Sequence, residues 1–258
     1  MSESETIQPI VIQKQLQGNK YAFPEKVFSF FSFLFSPKCM NCKIAFTLAE
    51  VLISLGIIGV VAAITLPTLV ANYQKKVLTT RLKKEVNILA NNFQLLFAKE
   101  GIDNLCNSEI AECSIGYSNV YIRGDKYGKY FKLSEVPINS LFYESMKDFF
   151  GANHVKAFNL ADGSCVAIDH DAYILRAGVV VDVNCDGKPN KWGRDMFIVG
   201  FNEKGKIFGD VSSWANGEED LREIIEMCEN YNDSYSDENI FLGYCSYKIA
   251  QDGWEMKY

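Results

Sequence analysis

Apolar residues dominate one stretch near the start of the chain. Between positions 46 and 66 the sequence reads FTLAEVLISLGIIGVVAAITL and contains a single charged residue, Glu50. A helix of this length crosses about 30 Å of hydrocarbon, since each residue adds about 1.5 Å. The apolar core of an ordinary signal peptide is shorter and ends in a small-residue cleavage site, whereas here Pro67 and a long amphipathic stretch follow. The pattern therefore predicts a retained transmembrane helix over residues 46–68.

The pattern changes to helical spacing after Pro67. Apolar residues recur there at intervals of three, four or five, which is typical of an amphipathic helix. They are Leu69, Tyr73, Val77, Leu82, Val86, Leu89, Phe93 and Leu96. The charged residues, Glu85 among them, are assigned mainly to the other faces. We predict that this helix continues the span through residues 69–100, ends at Gly101 and packs on a sheet of the same subunit.

The remaining residues, 101–258, predict a globular domain made of short elements. Alternating or continuous apolar runs indicate strands at residues 155–159, 165–169, 173–183 and 196–201, separated by turns such as Asp162-Gly163. Helical spacing indicates short helices at residues 140–150 and 218–229. Strands joined by tight turns form antiparallel sheets. The fold class expected is α+β, with a long N-terminal helix packed on an antiparallel β-sheet.

Glu50 is the unusual residue of the apolar segment. A carboxylate costs about 2.5 kcal/mol or more at the centre of a bilayer. A position near the interface, from which the side chain snorkels to water, would account for Glu50 without any function. The flanking sequence offers a second explanation, because Lys43-Ile-Ala-Phe-Thr-Leu-Ala-Glu50 resembles the cleavage and methylation motif of type IV prepilins and type II secretion pseudopilins.

The resemblance assigns roles to individual residues. It implies that prepilin peptidase cuts between Ala45 and Phe46, that Phe46 becomes the N-methylated terminus, and that Pro67 bends the helix. It also implies that Glu50 neutralises the new amine of a neighbouring subunit during assembly. Ala45 departs from the usual Gly, and a leader of residues 1–45 is longer than is typical. Initiation at Met40 would give a short basic leader, and we take Met40 as the hypothetical start.

The function that the resemblance implies is structural. The chain would be a minor pilin or pseudopilin, with no enzymatic activity and no required cofactor, in the bacterial inner membrane and then in the filament. Its partners would be prepilin peptidase, other pilin or pseudopilin subunits and the inner-membrane assembly platform. Two alternatives stay open, a monomeric membrane-anchored adhesin or binding module and a signal-anchored exported enzyme. Neither the filament system nor the major or minor status follows from the sequence.

Charge and cysteines bear on the orientation of the chain in the membrane. Five cationic residues closely follow the span and two precede it, Lys38 and Lys43, which by the positive-inside rule favours the reverse topology. The resemblance and the cysteines favour a globular domain outside the cytoplasm. Of eight cysteines, six follow the span, an even number typical of an oxidising compartment, with free buried thiols as the alternative. Cys39 and Cys42 have the CxxC spacing of redox and zinc motifs, but no partner pair or histidine lies nearby.

Six cysteines allow 15 connectivities. Pairing of nearest neighbours along the chain forms the shortest loops, and members of the resembled family often close a C-terminal loop in this way. The pairs predicted are Cys106 with Cys113, Cys165 with Cys185, and Cys228 with Cys245.

One segment resembles the start of a calcium-binding loop. Asp182, Asn184 and Asp186 alternate and are followed by Gly187, as oxygen donors do in such loops. Gly193, however, occupies the position of the bidentate glutamate. The same segment resembles a turn common in pilin-like domains that needs no metal, so calcium is a hypothesis here.

Composition argues against two other classes of function. Beyond residue 45 the chain carries 21 basic and 29 acidic residues, which disfavours general nucleic-acid binding. His154 and His170 are the only histidines. Ser164 and the run Asp169-His170-Asp171 lack the separation of a catalytic triad. No phosphate-binding glycine motif occurs.

Overall fold

The structure is a computed structural model that describes residues 47–113, 120–150, 155–169, 178–208, 218–232 and 240–258. The chain divides into two compact units, residues 1–59 and residues 60–258. In the first unit the described residues are 47–59, and helix α1 begins there at Leu48. The second unit contains the remainder of α1 and all of the sheet. The class is α+β, as predicted.

Helix α1 is Leu48–Glu100 and has 53 residues. It ends at Gly101, whose φ of 67° is a left-handed value that glycine adopts without strain. The N–H groups of Gly101 and Ile102 both donate to the carbonyl of Phe97, at 2.9 and 3.2 Å. This is a common way to satisfy the last carbonyls of a helix, and it explains why the helix stops at the predicted residue.

The later part of α1 is amphipathic and packs on the sheet. Its buried apolar residues are Leu82, Val86, Leu89, Phe93 and Leu96. They share a core with residues of the central strands, and Phe93 lies 4.9 Å from Phe201 between ring centroids. Full burial of each such side chain is worth about 1.5 to 3 kcal/mol. The apolar spacing therefore identified the packing face of the helix.

Five strands form the main sheet, in the order β3-β4-β5-β6-β7 with every neighbour antiparallel. They are β3 Ser134–Glu135, β4 Val155–Asn159, β5 Cys165–Asp169, β6 Gly178–Asp182 and β7 Met196–Gly200. Residues 173–177, part of the predicted third strand, lie outside the described residues. A row of paired residues, Phe158, Val166, Val181 and Phe197, belongs to the same core as α1.

The opposite face of the sheet is also covered. Its cross-strand row is Ala157, Ala167, Val180 and Ile198. Against it pack α3 Leu141–Phe150, α4 Glu218–Glu229, the 3₁₀ helix Ile240–Tyr244 and α5 Cys245–Gln251. The sequence therefore predicted the packing of α1 on one face of the sheet, and it did not predict that helices also cover the other face. Burial on both faces explains why all five residues of β7 are apolar or glycine.

Residues 101–135 contain short elements that the sequence did not reveal. They are a 3₁₀ turn at Leu105–Asn107, the antiparallel pair β1 Ala111–Cys113 and β2 Val120–Ile122, helix α2 Gly124–Tyr130 and strand β3. Helix α2 lies close to the sheet at Gly128, where an added Cβ would be 2.2 Å from the ring of Phe158. A glycine inside a helix weakens it, and here that glycine is required by the close approach.

Candidate functional site

The start of α1 is held by two polar side chains. Both the backbone N–H and the hydroxyl of Thr47 donate to Glu50 Oε2, at 2.9 and 2.8 Å. In return, the N–H of Glu50 lies 3.3 Å from Thr47 Oγ1. This is a capping box, in which the first residue and the third helical residue satisfy each other's free backbone donors.

The capping box gives Glu50 a structural role that sequence reasoning missed, although Thr47 followed three positions later by Glu50 is its usual signature. It also turns the carboxylate back toward the N-terminal end of the helix. Glu50 is exposed, so the same carboxylate is accessible to a group from another molecule. Ala45, Phe46, Met40 and the rest of the leader lie outside the described residues.

The first part of α1 has an apolar and exposed surface. The exposed fraction is 59% for Leu52, 59% for Ile58, 71% for Ile64 and 66% for Leu69. None of the most apolar 18-residue window of the helix is buried. Among the described residues this is the one helix long and apolar enough to cross a membrane. An exposed apolar surface of this extent is typical of a helix that contacts lipid or another protein.

Pro67 lies inside α1, which continues on both sides of it. A proline has no N–H to donate to the carbonyl four residues earlier. The bend that the family resemblance implies stays a prediction.

Three disulfides are present in the described residues, and they join the pairs expected from nearest-neighbour pairing. Cys106 binds Cys113, Cys165 binds Cys185, and Cys228 binds Cys245, with Cα separations of 5.4, 5.0 and 5.8 Å. The second links the start of β5 to the turn after β6, and the third links α4 to α5. All three lie in the second unit, and each closes a short loop.

The turn after β6 is built around two buried carboxylates, Asp182 and Asp195, which are both 0% exposed. Asp182 Oδ1 accepts from the N–H of Asn184 at 3.0 Å. The oxygens of Asp195 accept from the N–H groups of Lys191 and Asn190 at 2.7 and 2.9 Å. Burial and the neighbouring Asp195 carboxylate raise the pKa of Asp182 to about 8. Burial and the neighbouring carboxylate therefore favour the neutral form of Asp182.

This geometry bears on the calcium hypothesis. Asp186, the third predicted ligand, accepts from the N–H of Phe142 at 3.2 Å and is thus engaged at the start of α3. Asp182 Oδ2 and Asn184 Oδ1 are buried and have no hydrogen-bond partner among the described residues. They could face a cation, but they are two oxygens, and calcium takes six to eight. Among the described residues, no three His, Cys, Asp or Glu side chains come together as a metal site. Calcium binding at this turn stays a hypothesis.

Glu85 was assigned by sequence to an exposed face of α1, and this assignment is wrong. Its side chain is 2% exposed and lies on the buried stripe, three residues after Leu82 and four before Leu89. That spacing could have revealed its position. Burial, followed by the facing Asp162, raises the pKa of Glu85 to about 8.

Asp162 is the partner that makes this burial tolerable. Its Oδ2 accepts from Lys84 Nζ at 2.7 Å, and its Oδ1 accepts from Ser164 Oγ at 2.6 Å. Burial alone would raise the pKa of Asp162, but hydrogen bonds from Glu85, Lys84 and Ser164 hold it well below its usual range. Both carboxyl oxygens of Glu85 are buried and accept no hydrogen bond from a described residue. Burial therefore favours the acid form of Glu85, whose hydroxyl is able to donate to the Asp162 carboxylate.

The hydroxyl of Ser164 thus donates to Asp162, the carboxylate that faces Glu85. His154, His170 and Asp171 lie outside the described residues. Comparison of the chain with family models, with curated proteins and with solved structures found no match.

Proposed function

We propose that this chain is a subunit, a minor pilin or pseudopilin, of a type IV pilus or type II secretion pseudopilus. The observation that carries the proposal is the division of α1 into two kinds of surface. Its first part is apolar and exposed, and its later part is buried against the subunit's own sheet. A helix of this kind can reside in lipid before assembly and among the helices of other subunits afterwards.

Glu50 is the assembly residue in this proposal. A free amine at Phe46, created by cleavage, would be costly to bury in a filament without an anionic partner. The carboxylate of Glu50 is exposed and faces the N-terminal end of α1 through its bonds to Thr47. It can thus pair with the amine of a neighbouring subunit, as the motif around Ala45 and Phe46 suggests.

The proposed function needs no cofactor and no catalytic group, and its chemistry is the packing of subunits. The six cysteines of the second unit are joined in disulfides, which supports a location of this unit outside the cytoplasm. Its partners would be prepilin peptidase, other filament subunits and the inner-membrane assembly platform. Binding of calcium stays a separate hypothesis.

The experiment that tests the proposal is N-terminal mass analysis of the chain produced with and without a prepilin peptidase. We expect a chain that begins at N-methylated Phe46 when the peptidase is present, and an uncleaved chain when it is absent. The variant Ala45→Gly should be cleaved more completely, because glycine is the usual residue before the cut in the resembled motif. A chain that stays uncut in both hosts, for wild type and Ala45→Gly alike, would contradict the proposal and favour a membrane-anchored binding module.

A further inference from the structure

The second unit contains an open cavity of about 570 Å³ between α1 and the turn that precedes β7. Among the described residues, four cationic side chains line it and no acidic side chain does. The cations are Arg81 from α1 and Lys188, Lys191 and Arg194 from the turn. Such a concentration of one charge in a cleft produces a positive potential that attracts anions.

The turn side of the cavity is fixed in place. Asp195 accepts the N–H groups of Asn190 and Lys191, and Arg81 Nη1 lies 3.4 Å from the carbonyl of Val183. No ion pair joins Arg81, Lys188 or Arg194 to an acidic side chain within the part of the chain that the structure describes. These three cations are therefore free of carboxylate partners in that part.

The cavity begins where the exposed apolar surface of α1 ends. Leu66, Leu69 and Val70 are 53%, 66% and 49% exposed, and Tyr73, the first helix residue at the cavity, is exposed as well. Tyrosine is enriched where a membrane protein leaves the hydrocarbon. Tyr73 follows residue 68 by five positions, about 7.5 Å of helix. The headgroup layer of a bilayer extends roughly 5 to 7 Å beyond the hydrocarbon, so the Tyr73 end of the cavity lies near the outer edge of that layer.

We propose that this cavity binds the phosphate headgroup of an anionic phospholipid whose acyl chains lie along the apolar surface of α1. An apolar helix surface that leads directly into a cationic cavity matches the two parts of such a lipid. The proposal rests on the membrane-spanning part of the proposed function. It concerns the subunit in the membrane, before any assembly into a filament.

The test uses the full chain in detergent micelles, titrated with phosphatidylglycerol or with phosphatidylcholine of the same acyl chains and followed by native mass spectrometry. We expect phosphatidylglycerol to bind about tenfold more tightly, and each of Arg81→Gln, Lys188→Gln and Arg194→Gln to weaken it about fivefold, the factor for about 1 kcal/mol per cation near a lipid surface. Lys76→Gln is the matched control, because Lys76 is an exposed cation of the same helix that does not line the cavity. It should change binding little.

Three results would overturn the proposal. They are equal binding of the two lipids, equal weakening by Lys76→Gln, and competition by free glycerol phosphate at the concentration at which the lipid binds. The last would indicate a site for soluble anions. The double variant Lys188→Gln, Arg194→Gln could also bind lipid normally and yet fail to enter filaments. That result would overturn the lipid proposal too, and it would assign the cavity to a contact with a neighbouring subunit. Carbonate extraction of membranes tests the span separately, so failure of the lipid site is distinguishable from failure of the proposed function.

Discussion

The buried acid Glu85 leads to a quantitative prediction about stability and pH. Its side chain is 2% exposed, and burial together with Asp162 raises its pKa from the ordinary 4.5 to about 8. Between these two values the unfolded chain has lost this proton and the folded chain has kept it. Folding stability therefore falls as pH rises from 4.5 to 8, by up to about 1.4 kcal/mol per pH unit.

The perturbation is Glu85→Gln, which keeps the size of the side chain and can donate to Asp162 at every pH. Because glutamine has no proton to lose, this contribution to the pH dependence disappears. Through this group, the free energy of unfolding of the wild type falls by about 3 kcal/mol between pH 5 and pH 8. For a domain of this size that corresponds to a shift of roughly 6 to 12 °C in melting temperature. Wild type and variant should thus diverge as pH rises, with the variant the more stable at pH 8.

The assay is thermal unfolding of the full chain in detergent, followed by tryptophan fluorescence at several pH values. Asp182 also has a raised pKa, but its contribution is common to both proteins and cancels in the difference between them. Glu223→Gln, which removes an exposed glutamate of α4, is the control and should leave the pH profile unchanged. If the melting temperatures of wild type and Glu85→Gln differed by the same amount from pH 5 to pH 8, the claim that Glu85 is a buried acid would be refuted.

Two further predictions concern the second unit. Replacement of Cys228 and Cys245 by serine should lower the free energy of unfolding by about 2 to 4 kcal/mol, because the loop they close is released; a melting temperature equal to that of the wild type would argue against this bond. Calcium or a chelator should leave the melting temperature unchanged, because no three His, Cys, Asp or Glu side chains come together as a metal site among the described residues. A rise with calcium would show binding to the folded state.

The parts of the fold that the sequence predicted are those with a strong local pattern. The spacing of apolar residues in α1 identified its packing face, and glycine identified its end at Gly101. The same reasoning located β4, β5 and α4 at the residues where the structure has them. In each case one dominant local signal agreed with the tertiary packing.

The parts that escaped prediction depend on contacts between distant residues. Helix α2 carries two glycines in seven residues, so its local propensity is low and its place is set by packing against β4. Glu85 was assigned from its charge rather than from its spacing, although the partner that stabilises it, Asp162, is 77 positions away. The capping box of Thr47 and Glu50 was overlooked because the family resemblance already supplied a role for Glu50.

Two roles of Glu50 can be separated by substitution, since capping needs an acceptor oxygen and assembly needs a charge. Glu50→Gln keeps an oxygen that can accept from Thr47 and loses the charge. Thr47→Ala loses the hydroxyl of the cap and keeps the charge. Removal of one partner from a buried ion pair costs about 3 to 5 kcal/mol, which is more than a hundredfold in an equilibrium constant.

Incorporation of these variants into filaments tests the assembly role of Glu50 most directly. The measurement is the amount of subunit in filaments sheared from the native host, relative to the cleaved subunit left in the membrane. We predict that Thr47→Ala enters filaments at close to the wild-type level, and that Glu50→Gln is inserted and cleaved normally but falls below detection in the filaments. Wild-type incorporation of Glu50→Gln would contradict the account, and the carboxylate would then be a helix cap near the membrane surface.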